Sequence, residues 1–191
     1  MITVVGLQNP GTEYTNTRHN VGEMVVRAFA AANNFPSFVS SAQYAGEISE
    51  GVIDGVEVRL LLPTTFMNKS GSSVQKAIEK SEDLVLVHDE LALPFGEFKI
   101  GYNQGAGNHN GVQSVIDTLD TKAFVRLRVG ISPTSFFGNI KPPCGDRRAK
   151  FVLQEFSKRE QGKLESLLPD MVDALSLLVK EGKEKAMNRF N

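Results

Sequence analysis

Two short apolar runs constrain this chain more than any other feature. Residues 2–7 (Ile-Thr-Val-Val-Gly-Leu) and 84–88 (Leu-Val-Leu-Val-His) are rich in β-branched and aliphatic side chains and too short for core helices. Without strict apolar–polar alternation, such strands need cover on both faces, as in the middle of a sheet sandwiched by helices. The first run stops at Asn9-Pro10-Gly11 and the second at Asp89, so each strand delivers the chain into a polar turn.

The rest of the chain supplies the cover. Val21, Val25, Ala28, Phe29 and Ala32 recur at helical spacing over residues 20–33. Residues 43–49 and 56–62 flank Asp54-Gly55, a hairpin signal. Helices are predicted over 70–80, with Asn68 or Ser70 as N-cap, and over 110–119. Strands are predicted over 97–102 and 124–131, and an irregular loop over 133–146. Ser157-x-x-Glu160 is a capping box opening a helix that Pro169 should kink or split, with helix continuing to about Met187. Strands alternating with helices imply an α/β fold, a three-layer α/β/α arrangement around a mixed, mostly parallel twisted sheet. In such sheets ligands bind beyond the carboxyl ends of strands, which directs attention to the polar loops after Leu7, Leu62 and His88.

At 191 residues, 41% hydrophobic and 23% charged, the chain reads as one domain over residues 1–191 and not as a disordered or low-complexity segment. The single Cys144 cannot form an internal disulfide, which fits a reducing compartment. No stretch approaches the ~20 apolar residues of a membrane span, and the N-terminus lacks a basic signal-peptide region; a cytoplasmic location is expected. The formal net charge of −1 argues against indiscriminate coating of nucleic acid. The charge is uneven, however: residues 1–95 carry 6 basic and 11 acidic groups, residues 96–191 carry 15 and 11. A basic face on the C-terminal half is compatible with RNA binding; a solvated helix face is the plainer explanation.

Several chemistries lack their residues. There is no Gly-x-Ser-x-Gly elbow and no phosphate-binding P-loop. Gly105-Ala106-Gly107-Asn108-His109-Asn110 has Asn where a dinucleotide fingerprint needs its last glycine. His19, His88 and His109 show no metal-ligand spacing, and Cys144 has no neighbouring base. What remains are loops dense in His, Asn and acidic residues. His19 has a side chain suited to general-base work near neutrality, and Asp89, held at a strand end, is the best carboxylate to orient it. Asn9, Asn68 and Asn110 each offer a neutral donor and acceptor, suited to amide or ester groups. Taken singly, each of these is better read as an ordinary turn or cap residue.

Taken together they are recognisable. Gly6-Leu-Gln-Asn-Pro-Gly-Thr-Glu-Tyr-Thr-Asn-Thr-Arg-His-Asn-Val-Gly22, Pro63-Thr-Thr-Phe-Met-Asn-Lys-Ser-Gly71, Val87-His-Asp-Glu-Leu-Ala-Leu-Pro-Phe-Gly96, Asn108-His-Asn-Gly111, Arg126-Leu-Arg-Val-Gly-Ile131 and Lys185-Ala-Met-Asn-Arg-Phe190 occur in the order, and over nearly the whole length, of bacterial-type peptidyl-tRNA hydrolases. The chain closely resembles that family. The resemblance implies a monomeric, cofactor-free and metal-free esterase that cleaves the bond between a peptide and the terminal ribose of tRNA and needs no obligate protein partner. It implies that His19 is the base and Asp89 its partner. It implies that Asn9 distinguishes peptidyl from free aminoacyl substrates, and that Tyr14, Phe66, Asn68 and Asn110 contact the tRNA end or the peptide. Stacking of Tyr14 and Phe66 on unpaired bases fits that expectation.

The pattern is not followed everywhere. Gln8 and Asn108 stand where the family usually has Gly, and Ala92 replaces an acidic residue. Gly101 occupies a position where some members carry a phosphate-clamping Lys, which leaves Lys99, Arg126 and Arg128 as the expected tRNA-backbone contacts. Two alternatives stay open at this level: a non-catalytic RNA-binding scaffold of the same fold, and a hydrolase of other acyl esters that does not bind RNA. Arg126 and Arg128, two apart on a strand, would share one face; a solvent-facing pair favours RNA.

Overall fold

The computed structural model describes residues 1–135 and 139–191. In chain order the elements are β1 (Ile2–Gly6), α1 (Val21–Ala32), β2 (Val39–Ser41), β3 (Gly46–Ile53), β4 (Val56–Pro63), α2 (Ser70–Ala77), β5 (Leu84–Pro94), β6 (Phe98–Tyr102), α3 (Asn110–Leu119), β7 (Val125–Ser132), α4 (Asp146–Val152), α5 (Lys158–Glu181) and α6 (Lys183–Phe190). Single 3₁₀ turns precede α1 and α2. Among the described residues no helix is long and apolar enough to cross a membrane.

The strands form one mixed sheet in the order β2-β3-β4-β1-β5-β7-β6. Its four central strands, β4, β1, β5 and β7, run parallel, and the strands outside them run antiparallel to their neighbours. The two apolar runs of the sequence, β1 and β5, lie side by side at its centre, Val4 beside Val85 and Gly6 beside Val87. Alternation along them feeds two cores. Val4, Leu60, Leu62, Val85 and Val87 meet α1 (Val21, Val25, Phe29) and α5 (Met171, Leu175, Leu178) on one face. Val5, Leu61, Leu84 and Leu86 meet α2 (Val74) and α3 (Val112, Val115) on the other. Each of these side chains contributes roughly 1.5–3 kcal/mol by leaving water.

One close contact fixes where the loop after β1 goes. A Cβ on Gly22 would lie 2.4 Å from the Val87 carbonyl and 2.8 Å from Leu7 N, so the first turn of α1 rests directly on the backbones of β1 and β5. That draws residues 18–20 over the end of the sheet.

The hairpin turns at Asp54-Gly55 with both residues at positive φ (48° and 81°), the twist-matched geometry that Gly favours. Three local expectations need correction. β5 does not end at Asp89 but runs on to Pro94, with an irregularity in its pairing to β7 between Glu90 and Pro94. Helix α5 is not split at Pro169; it continues through to Glu181 because Leu164 and Met171, on either side of the proline, are both seated in the core, and the break comes at Gly182. Neither Asn68 nor Ser70 caps α2 with its side chain. The short exposed strand β2 has no apolar pattern to announce it. Of the irregular loop expected over 133–146, residues 136–138 lie outside the described residues.

Candidate active site

His19 sits in the 3₁₀ turn Arg18–Asn20 that leads into α1, and Asp89 sits on β5 beside the carboxyl end of β1. Seventy residues apart in sequence, they meet with His19 Nδ1 2.7 Å from Asp89 Oδ1. A carboxylate only accepts, so Nδ1 carries the proton and Nε2 keeps its lone pair. Nε2 has no hydrogen-bond partner among the described residues, and His19 lines a cleft of about 310 Å³ with Asp89, Glu90, His109, Asn110, Arg148 and Val152. Burial alone would push the His19 pKa down, but the adjacent Asp89 charge and its hydrogen bond outweigh burial and raise it above the usual imidazole value. Asp89 is fully buried, which favours its neutral form; the imidazoles of His19 and His109 nonetheless hold its carboxyl far below the ordinary carboxylate range.

His109 is the residue that sequence reasoning passed over. Its Nδ1 accepts the N–H groups of Gly111 (3.1 Å) and Val112 (3.2 Å), which makes it the N-cap of α3. An accepting Nδ1 places the ring proton on Nε2, and Nε2 lies 2.8 Å from the same Asp89 Oδ1. The amides of a helix start thereby choose the tautomer of a side chain in the site. Its only sequence signal was a place inside Asn108-His109-Asn110-Gly111.

His19, Asp89 and His109 also bring three potential ligand atoms within 4.8 Å of one another, although their spacing carries no metal motif. The donor set does not suit a cation. Metal-bound histidines usually donate the other ring N–H outward, whereas His109 Nδ1 faces two N–H groups and cannot carry a proton without losing both. His88 lies beneath, its ring 4.9 Å from that of His109. Its Nδ1 donates to the Asp89 carbonyl, and burial, reinforced by the neighbouring His109 ring, drives its pKa well below the usual imidazole value.

Asn9 lies beside this cluster, not within the cleft lining. Asn20 grips its backbone from both sides, accepting from Asn9 N (2.9 Å) and donating to Asn9 O (3.0 Å). The Asn9 side-chain oxygen accepts Met67 N at 2.9 Å, across 58 residues, so its amide NH₂ is the end left without a partner among the described residues. This bond starts the 3₁₀ turn at Met67–Lys69 and anchors the second polar loop to the first. Phe66 is 57% exposed on that loop and Asn68 is exposed beside it. Tyr14 is half-buried. Asn110 stands exposed at the mouth of the cleft. Of the predicted residues, His19, Asp89 and Asn110 line one cleft, while Asn9, Tyr14, Phe66 and Asn68 are not among its lining residues.

Three of the four departures have physical explanations. Gln8 is buried and donates to the Pro63 carbonyl at 3.0 Å, tying the ends of β1 and β4. Asn108 takes φ 65°, a left-handed conformation that Asn tolerates better than most residues. Gly101 is covered by the Gln104 side chain, 2.5 Å from where its Cβ would be.

Arg126 must be corrected as a backbone contact. It is 1% exposed and its guanidinium turns inward to the Gly105 carbonyl. Burial and the neighbouring Arg128 charge, against the opposing pull of Glu90, lower its pKa to about 10. Arg128 is half-buried, 3.6 Å from Glu90, and pairs across the sheet with exposed Lys99.

The family model described as peptidyl-tRNA hydrolase matches residues 3–191. The chain is 40% identical to the peptidyl-tRNA hydrolase of Syntrophotalea carbinolica, over 100% of this chain and 97% of that one. It is 36% identical to that of Thermodesulfovibrio yellowstonii, over 100% and 99%. The crystal structure of the Acinetobacter baumannii peptidyl-tRNA hydrolase superposes with a TM-score of 0.89 at 32% identity, covering 100% of this chain and 94% of that one. The family model spans nearly the whole chain and these relatives match it end to end, so the chain belongs to the peptidyl-tRNA hydrolase family.

Proposed function

We propose that this chain, acting as a cytoplasmic monomer, hydrolyses the ester between the peptide and the terminal ribose of peptidyl-tRNA with His19 as general base. The observation that carries the reading is the 2.7 Å bond from His19 Nδ1 to Asp89 at the floor of the cleft, which leaves Nε2 as the free base. Nε2 takes a proton from water; the hydroxide oxygen attacks the ester carbonyl carbon; the resulting imidazolium returns the proton to the departing ribose oxygen. Asp89 holds the ring in this tautomer and stabilises its charged state. A donor is needed for the tetrahedral oxyanion. The α3 amides of Gly111 and Val112 are taken by His109, so the Asn110 side chain is the donor this reading assigns. The free amide NH₂ of Asn9 donates to the peptide carbonyl next to the scissile ester, a group that a free aminoacyl-tRNA lacks. Tyr14, Phe66 and Asn68 hold the tRNA 3′ end and the peptide, and Lys99 and Arg128 meet phosphates.

The test is release of deacylated tRNA from N-acetylated aminoacyl-tRNA by the purified protein in the presence of a chelator. Turnover that survives chelation and falls at least ~10²-fold in His19→Ala supports the reading. Binding without turnover would instead support the scaffold alternative, and dependence on added metal would overturn the metal-free chemistry.

A further inference from the structure

Arg18 is the residue immediately before the base, and it is buried without facing the cleft. Its guanidinium forms a bidentate pair with Glu160, Nη2 to both carboxylate oxygens at 2.8 Å. Its Nη1 donates to the carbonyls of Gln154 (3.2 Å) and Glu155. The cation lies over the rings of Phe151 (4.7 Å) and Phe156 (5.1 Å). Backbone contacts run parallel to these: Arg18 N to Gln154 O at 3.0 Å, and a β-bridge between Thr17 and Glu155. All these partners sit at the junction of α4 and α5. Helix α4 supplies Arg148, Ala149 and Val152, one wall of the cleft. Glu160 is fixed in turn by the capping box of α5, its Oε2 accepting Ser157 N at 2.8 Å.

We infer that Arg18 and Glu160 are positioning residues for substrate binding: they clamp the α4 wall at a set distance from the side of the cleft that carries His19, Asp89 and His109. The His19 ring is held separately, by Asp89, so the clamp governs the width of the cleft and not the strength of the base. A planar fork fits this duty because it restrains the junction in two directions at once, which an ammonium cannot do. The inference rests on the proposed active site.

The experiment compares Arg18→Lys and Glu160→Gln with the parent chain. The second keeps an acceptor for the capping box and so leaves α5 its start. With N-acetylated aminoacyl-tRNA, KM should rise about tenfold in both variants, while kcat and the pH midpoint of kcat stay within about twofold. In a His19→Ala background, which cannot turn over, the Kd for the same tRNA should weaken by a similar factor. An unchanged KM with a lowered Tm would reduce the clamp to a fold-stabilising contact and overturn the inference. So would a fall in kcat with a shifted pH midpoint, which would mean that Arg18 acts through the base. Full activity of His19→Ala itself would instead refute the active-site reading, leaving the effect on Kd as a separate result.

Discussion

His109 donates its Nε2 proton to Asp89 at 2.8 Å, on the same carboxylate oxygen that holds His19. Two imidazoles therefore share one acceptor, and the second of them has its tautomer set by the first amides of α3. Removing His109 leaves Asp89 with a single ring partner and a stronger pull on the His19 proton. His109→Ala should move the acidic limb of the kcat/KM profile to higher pH. It should also cost roughly 0.5–2 kcal/mol of stability through the lost cap. The checks are a pH–rate profile and a denaturant titration on the same preparation.

The base must be neutral to act. Because Asp89 raises the His19 pKa despite burial, kcat/KM should increase with pH through a midpoint above the unperturbed imidazole value of ~6.5. Asp89→Asn removes the charge while burial remains, so the midpoint should move down, and kcat should fall about tenfold or more because the tautomer is no longer enforced. A midpoint that stays in place would mean that another group titrates.

Asn9 separates a structural from a recognition role by atom. Its oxygen serves Met67 N, and its NH₂ is the group offered to substrate. Asn9→Asp keeps the acceptor and removes the donor; Asn9→Ala removes both. Both should narrow the preference for N-acetylated over free aminoacyl-tRNA, by a factor of roughly 5 to 150 for a lost buried hydrogen bond worth ~1–3 kcal/mol. Asn9→Ala alone should also destabilise the Met67 turn. The readouts are the ratio of kcat/KM for the two substrates and the Tm of each variant.

The two arginines of β7 should behave differently. Arg128→Ala and Lys99→Ala should each weaken tRNA binding and reduce the slope of log K against log salt by about 1. Arg126→Ala should leave that slope unchanged and lower stability, because the side chain is enclosed in the protein and not aimed at solvent. Binding titrations over a range of salt concentrations distinguish the three.

Apart from β2 and α4, the order of strands and helices, the Asp54-Gly55 turn, the Ser157–Glu160 cap and the burial of the strands at 2–7 and 84–88 were legible in the sequence. Each follows from side-chain periodicity or from backbone preferences of a few adjacent residues. The candidate residues His19, Asp89 and Asn9 were legible as well, through the motifs in which they sit. The tertiary structure decided what depends on contacts between distant segments. Helix α5 runs through Pro169 because core packing on both sides outweighs one missing hydrogen bond. Arg126 points inward because the loop at Gly105 folds over that face of the sheet, which no strand alternation can reveal. His109 joins the site because the start of α3 lands 2.8 Å from a carboxylate twenty residues earlier in the chain. Local sequence carries the conformational preferences of neighbouring residues; tautomers, burial of charge and the meeting of His19 with Asp89 exist only once the sheet has brought the ends of its strands together.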